Sequence, residues 1–139
     1  MDIIKQRQKL KHDCALTALS MVTGEEYDSV AEYFDGIDFD KGGITYYALN
    51  SFLFDHGFST ARIFKYKGFK DCPQRTPWPP EPFADMHICE VLPYESSTFS
   101  HFIVMLRDGK IFDPAFSEIK KLSDYHKVYN VAGVYKIGE

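Results

Sequence analysis

The sequence predicts an α+β fold, with helices in the first third and an antiparallel β-sheet after them. Three observations carry that prediction. Apolar residues recur at helical spacing as far as Gly57, and the period becomes strand-like from Phe58 onward. Gly24, Gly36 and Gly57 each stand where a helical stretch stops. An Asp108-Gly109 pair separates two apolar runs, as a hairpin turn does. A length of 139 residues suits one domain with one core, spanning 1–139.

The first helix is predicted from Asp13 to Gly24. Asp13 is its expected cap, because a short acidic side chain accepts from the free N–H groups of the first turn. Leu16, Leu19 and Val22 form one stripe, and Gly24 is the stop. A second helix runs from Glu25 to Phe34, with Tyr27, Val30, Ala31 and Phe34 on one face. A turn follows at 40–43. A third helix runs from Thr45 to His56, with Tyr47, Ala48, Phe52 and Leu53 expected inward. Strands are predicted at Phe58–Tyr66 and Met86–Leu92, then a hairpin of Phe99–Leu106 and Lys110–Asp113, then one or two closing strands within Lys127–Ile137. Residues 71–82 hold five of the seven prolines and the only tryptophan. Proline blocks both helix and central-strand hydrogen bonding, so this is a stiff surface loop.

The net charge of −4 argues against a nucleic-acid partner, whose footprint is basic. The alternating Lys5, Arg7, Lys9 and Lys11 read as a solvated arm. No apolar run reaches the ~20 residues of a membrane helix, and no signal-peptide core follows Met1. We therefore expect a cytoplasmic protein with reduced thiols and no membrane partner. With thirteen residues before Cys14, we expect no room for an inhibitory pro-segment unless one was cut off.

Cys14 is the most informative residue. A helix N-terminus favours thiolate, and a neighbouring histidine favours it further and shuttles the proton. His101 opens the apolar run Phe102–Leu106, so it stands at the mouth of a buried strand and needs a polar partner. Asp113 is the candidate, holding the imidazole tautomer and stabilising imidazolium. The two residues share a hairpin face only if the loop has an odd number of residues. A three-residue loop, Arg107-Asp108-Gly109 with Gly109 left-handed, pairs Ile103 with Asp113 and puts His101 diagonally across on the same face. Gln8, six residues before the cysteine, would donate its amide N–H to an oxyanion, with the backbone N–H of Cys14 as second donor. Gln6 is the alternative by composition.

The order Gln8, Cys14, His101, Asp113 reads as a cysteine-nucleophile acyl-transfer enzyme. Cys89 reads as core and Cys72 as incidental. His12, Cys14, His87 and Cys89 make two His-x-Cys pairs, unlike the usual zinc knuckles, so no metal is expected. There is no phosphate loop, no GxGxxG and no HExxH, so no cofactor is expected.

The segments Gln8–Met21, Gly43–Gly57, Ser100–Val104 and Asp108–Pro114 together resemble the papain-like cysteine proteases, closest to the C39-like (bacteriocin-processing) peptidases. That pattern has a glutamine six before the cysteine, an Asp-Cys-Gly helix start, a helical region ending in glycine, a His-Phe-Val-Val strand and an Asp-Pro. Ala15 stands here where the pattern has glycine, and the Pro-rich loop with Trp78 lies outside it. The resemblance implies a papain-like fold with the nucleophile at a helix N-terminus packed on the sheet. It implies Gln8 for the oxyanion, Cys14 as nucleophile, His101 as base and acid, Asp113 as orienting residue, and a peptide or protein substrate. A transglutaminase-like acyl transferase would use the same residues. A catalytically silent binding module would instead present Trp78. The Trp78 loop is read either as a lid on the cleft or as packing on the core.

Overall fold

The computed structural model describes residues 3–10, 12–39, 42–64 and 78–138. Within them the chain is α+β, with three helices before a six-stranded antiparallel sheet. The helices are α1 (Cys14–Thr23), α2 (Tyr27–Tyr33) and α3 (Tyr46–Asp55). The strands are β1 (Phe58–Phe64), β2 (Met86–Leu92), β3 (His101–Leu106), β4 (Ile111–Phe112), β5 (Ile119–Lys120) and β6 (Lys127–Lys136). In space they run β1-β6-β2-β3-β4-β5. Lys65 and Tyr66, the predicted end of β1, and Cys72 lie outside the described residues.

Helix α1 is the centre of the molecule. Every residue from Cys14 to Val22 is buried, so it is covered on all sides rather than along one stripe. It packs against β3, α2 and α3. With Phe52, Leu49 and Leu53 of α3 and with Ile88 and Val104 of the sheet, it forms the larger core. The opposite face of the sheet carries Cys89, Val91, Ile103, Met105 and Val131, covered by Trp78, Phe83, Leu122 and Tyr125. Gly133 of β6 makes room there: a Cβ on it would stand 2.6 Å from the Phe83 ring.

Two expectations need correction. Tyr47 was expected inward but is 79% exposed. The buried stripe of α3 is Leu49, Phe52 and Leu53, and at 100° per residue Tyr47 falls on the far side of it. Asp13 was expected to cap α1 but makes no side-chain cap bond. Its backbone (φ −100°, ψ 21°) is not the extended one usual for a cap, and its carboxylate turns elsewhere. Thr45 does cap α3, accepting from the Ala48 N–H at 3.2 Å.

The β3–β4 hairpin has the three-residue loop that the site requires. Val104 pairs with Phe112 and Met105 with Ile111, and the Leu106 N–H donates to Lys110 O at 2.9 Å. Gly109 takes the left-handed conformation (φ 89°) that closes such a loop. Strand β6 is a single strand and lies inside the sheet, between β1 and β2, rather than at its edge. Its register shifts between Glu90 and Val91 of β2. Among the described residues, no helix is long and apolar enough to cross a membrane.

Candidate active site

Three chain segments far apart in sequence converge where α1 begins. Cys14 is the first residue of α1 and is 8% exposed. The backbone N–H of Phe102, on β3, points to its sulfur at 3.5 Å. His101, one residue earlier, faces the same sulfur. His101 Nε2 lies 2.5 Å from Asp113 Oδ1, so Nδ1 is the nitrogen left for the thiol. Asp113 is fully buried.

Asp113 is held at both oxygens. Oδ1 also accepts from the Ala115 N–H at 2.8 Å, and Oδ2 accepts from the Tyr125 hydroxyl at 2.6 Å. Burial disfavours a carboxylate, but the His101, Tyr125 and Ala115 donors outweigh it, and the Asp113 pKa lies below the usual carboxylate value. Burial likewise opposes a charge on His101, yet Asp113 and Cys14 outweigh it and push that pKa up to about 10. The pair is therefore imidazolium and carboxylate near neutral pH. Because the folded His101 binds its proton more tightly than the unfolded chain does, its contribution to stability is full below pH 6.5 and is lost as pH rises through about 10. The Asp113 contribution is lost on the other side, as pH falls through the lowered carboxyl value.

A second histidine gives an internal contrast. His87 is fully buried. Its Nε2 accepts from the Phe83 and Ala84 N–H groups at 3.1 and 3.0 Å, and its Nδ1 contacts Met105 O at 3.0 Å, so Nδ1 carries the proton. Burial lowers its pKa from 6.5. The unfolded chain binds that proton more readily, so the His87 contribution is present above pH 6.5 and is lost as pH falls. Nitrogen-15 NMR of the imidazoles is expected to find His87 titrating below pH 6.5 and His101 protonated well above pH 7. Both rings titrating near 6.5 would contradict the two environments.

The sulfur and imidazole open into a cavity of about 540 Å³. His12, Gly43, Ile44, Tyr94, Phe99 and Phe116 are among its walls. Tyr94 and Phe99 are 59% and 57% exposed, so the rim is aromatic and open to solvent.

The predicted site residues divide into two groups. Cys14, His101 and Asp113 come together. Gln8 is not among the residues lining the cavity. Its backbone N–H donates to Pro114 O at 2.8 Å, and its side-chain amide donates to Leu10 O at 2.9 Å. Gln6 is tied to α1, donating to Ser20 Oγ at 3.0 Å. The N-terminal arm is less free than a solvated arm would be. Lys5 donates to the carbonyls of Asp113 and Phe116, and Arg7 to that of Ala115. These contacts fasten the turn that carries Asp113.

Trp78 packs on the core and donates its indole N–H to Val128 O at 3.2 Å. It does not line the cavity at Cys14, so among the two readings of this residue the packing one fits. Cys89 is fully buried on the other face of the sheet, where burial pushes its thiol pKa up. Among the described residues, no group of three or more His, Cys, Asp or Glu is placed to hold a metal ion.

Sequence reasoning missed Tyr125. It follows a single 3-10 turn (Leu122–Asp124), and nothing in its neighbours marks it as a partner of Asp113. It also missed the clamp behind His101, where Glu90 accepts from Ser100 Oγ at 2.7 Å and from Asn130 Nδ2 at 2.9 Å. No protein-family profile matches this chain, and no curated protein matches it either. The chemistry has to be argued from the residues themselves. The arrangement has a thiol at a helix start, a histidine facing it, a buried carboxylate bonded to that histidine, and a cavity beside them, and acyl transfer is a chemistry that calls for such parts.

Proposed function

We propose that this chain is a thiol hydrolase of the papain-like, C39-like type, cleaving a peptide or isopeptide bond through a thioester. The observation that carries the reading is the contact of His101 with both Cys14 and the fully buried Asp113. His87, packed among backbone groups, has its charged form disfavoured by burial. His101 has its charged form favoured and faces a thiol.

In this reading the Cys14 thiolate attacks the scissile carbonyl carbon. The carbonyl oxygen becomes an oxyanion and is met by the backbone N–H of Cys14, at the positive end of α1. Gln8, expected as second donor, is bonded instead to Leu10 O and stands outside the cavity. Protonated His101 gives its proton to the leaving amine, and a thioester remains. Neutral His101 then takes a proton from water, the hydroxide attacks the thioester, and the acid leaves as the thiolate is restored. Asp113 keeps the imidazole in one tautomer throughout. The substrate is a peptide or protein, and no cofactor enters any step.

Alkylation by iodoacetamide, mapped to Cys14 by mass spectrometry, tests the reading. A thiolate held by imidazolium at pH 6 is expected to react about ten to a hundred times faster than a free thiol. His101→Ala is expected to abolish that advantage. Slow labelling with an ordinary thiol profile in both proteins would remove the hydrolase reading and leave a silent binding module.

A further inference from the structure

Asp13 is fully buried and stands directly before Cys14, yet its carboxylate takes no part in the arrangement described above. Its Oδ2 accepts from the Lys9 backbone N–H at 3.1 Å and from the Tyr27 hydroxyl at 2.5 Å. Its Oδ1 is buried without a hydrogen-bond partner among the described residues. A buried carboxylate oxygen left unmet is costly. The first turn of α1, with which this same residue begins, has no side-chain cap. An aspartate at that place ordinarily fills the open N–H groups. Here an unmet acceptor and uncapped donors stand side by side, and Tyr27, at the start of α2, holds the carboxylate away.

An occupied cap is what a nucleophile at a helix N-terminus must avoid. The N–H groups that an aspartate would take, those of Ala15 and Leu16, belong to the same first turn whose positive end favours a thiolate. We propose that Tyr27 is a positioning residue for the nucleophile: by binding the Asp13 carboxylate it keeps that negative charge off the first turn of α1 and leaves the turn to Cys14 and the substrate anion. The inference rests on the hydrolase reading. Tyr27 acts through Asp13 and touches neither the sulfur nor the substrate cavity.

The surrounding charges are few. Lys9 Nζ sits 4.5 Å from the Tyr27 ring centroid. Burial, the bond to Asp13 and the charges of Asp13 and Asp28 all push the Tyr27 hydroxyl pKa up, so it stays a donor. His12 lies with its ring 5.0 Å from that of Phe99, and His101 faces Cys14 from β3. Tyr27→Phe deletes one oxygen and leaves all of these in place.

The test is the pH profile of Cys14 alkylation by iodoacetamide between pH 5 and 9, in wild type, Tyr27→Phe and His101→Ala, with urea unfolding of each. The Tyr27→Phe profile is expected to move to higher pH, with about a tenfold lower rate at pH 6, the scale of one charge-assisted hydrogen bond. A merely structural tyrosine would lower the unfolding midpoint and leave the profile of the folded protein where it was. A Tyr27→Phe profile superimposed on wild type, with His101→Ala displaced, overturns this proposal and spares the hydrolase reading. A wild-type profile that matches His101→Ala overturns both.

Discussion

Asp113→Ala is expected to lower stability by about 3–5 kcal/mol and to remove the enhanced reactivity of Cys14 in the same protein. The stability loss follows from what the substitution strands. Without Asp113, burial favours the neutral imidazole and His101 loses the partner that fixes it, while the Tyr125 hydroxyl and the Ala115 N–H lose their acceptor. Each unmet buried group costs about 1–3 kcal/mol. A domain of this size has about 5–15 kcal/mol in total, so the variant sits near the edge of folding. Urea unfolding at pH 7 gives the number. Where the folded fraction allows, iodoacetamide labelling gives the chemistry. Asp113→Asn is the milder companion: it keeps the shape and removes the charge, and its labelling rate should still fall. A loss under about 1 kcal/mol with unchanged labelling would mean that Asp113 is not the anchor of this site.

Cys14→Ala is expected to do the reverse. Peptide hydrolysis should fall to background, a loss on the order of 10⁶ if the covalent route carries the reaction. Stability should stay within about 1 kcal/mol of wild type. The sulfur receives a long bond from the Phe102 N–H and faces His101, and alanine is a small residue compatible with a helix. The variant should still bind substrate, which makes it the form for trapping one. Retained hydrolysis would sink the proposed mechanism outright. Together the two variants separate a residue that supports the fold and the chemistry from one that serves the chemistry alone.

Much of this was legible in the sequence because the signals were local. The extents of β2 and of the helices followed from periodicity and glycine stops. The hairpin loop followed from parity: His101 and Asp113 meet only across an odd loop, and the loop has three residues. What failed had a tertiary cause. The Asp13 side chain obeyed a partner on α2 instead of its own helix. Tyr47 was assigned by hydrophobicity, although the helical angle puts it opposite Leu49. Tyr125 was unreadable because its bond to Asp113 depends on how a 3-10 turn lands on the sheet. The alternating Lys5, Arg7, Lys9 and Lys11 read as a solvated arm, and only the position of the 113–116 carbonyls gives Lys5 and Arg7 a place to bind.

The placement of β6 has a further meaning for the history of each molecule. This strand follows every other element in chain order, yet it lies in the interior of the sheet, hydrogen-bonded to β1 on one side and β2 on the other. Until it arrives, β1 and β2 are two separate edges, and Asn130 is not yet there to hold Glu90 behind Ser100 and His101. The contacts that build the site span 88 residues between Cys14 and Phe102, and such closures come late because the chain entropy must be spent first. The arrangement around Cys14 therefore forms late in folding, after β6 has joined β1 to β2.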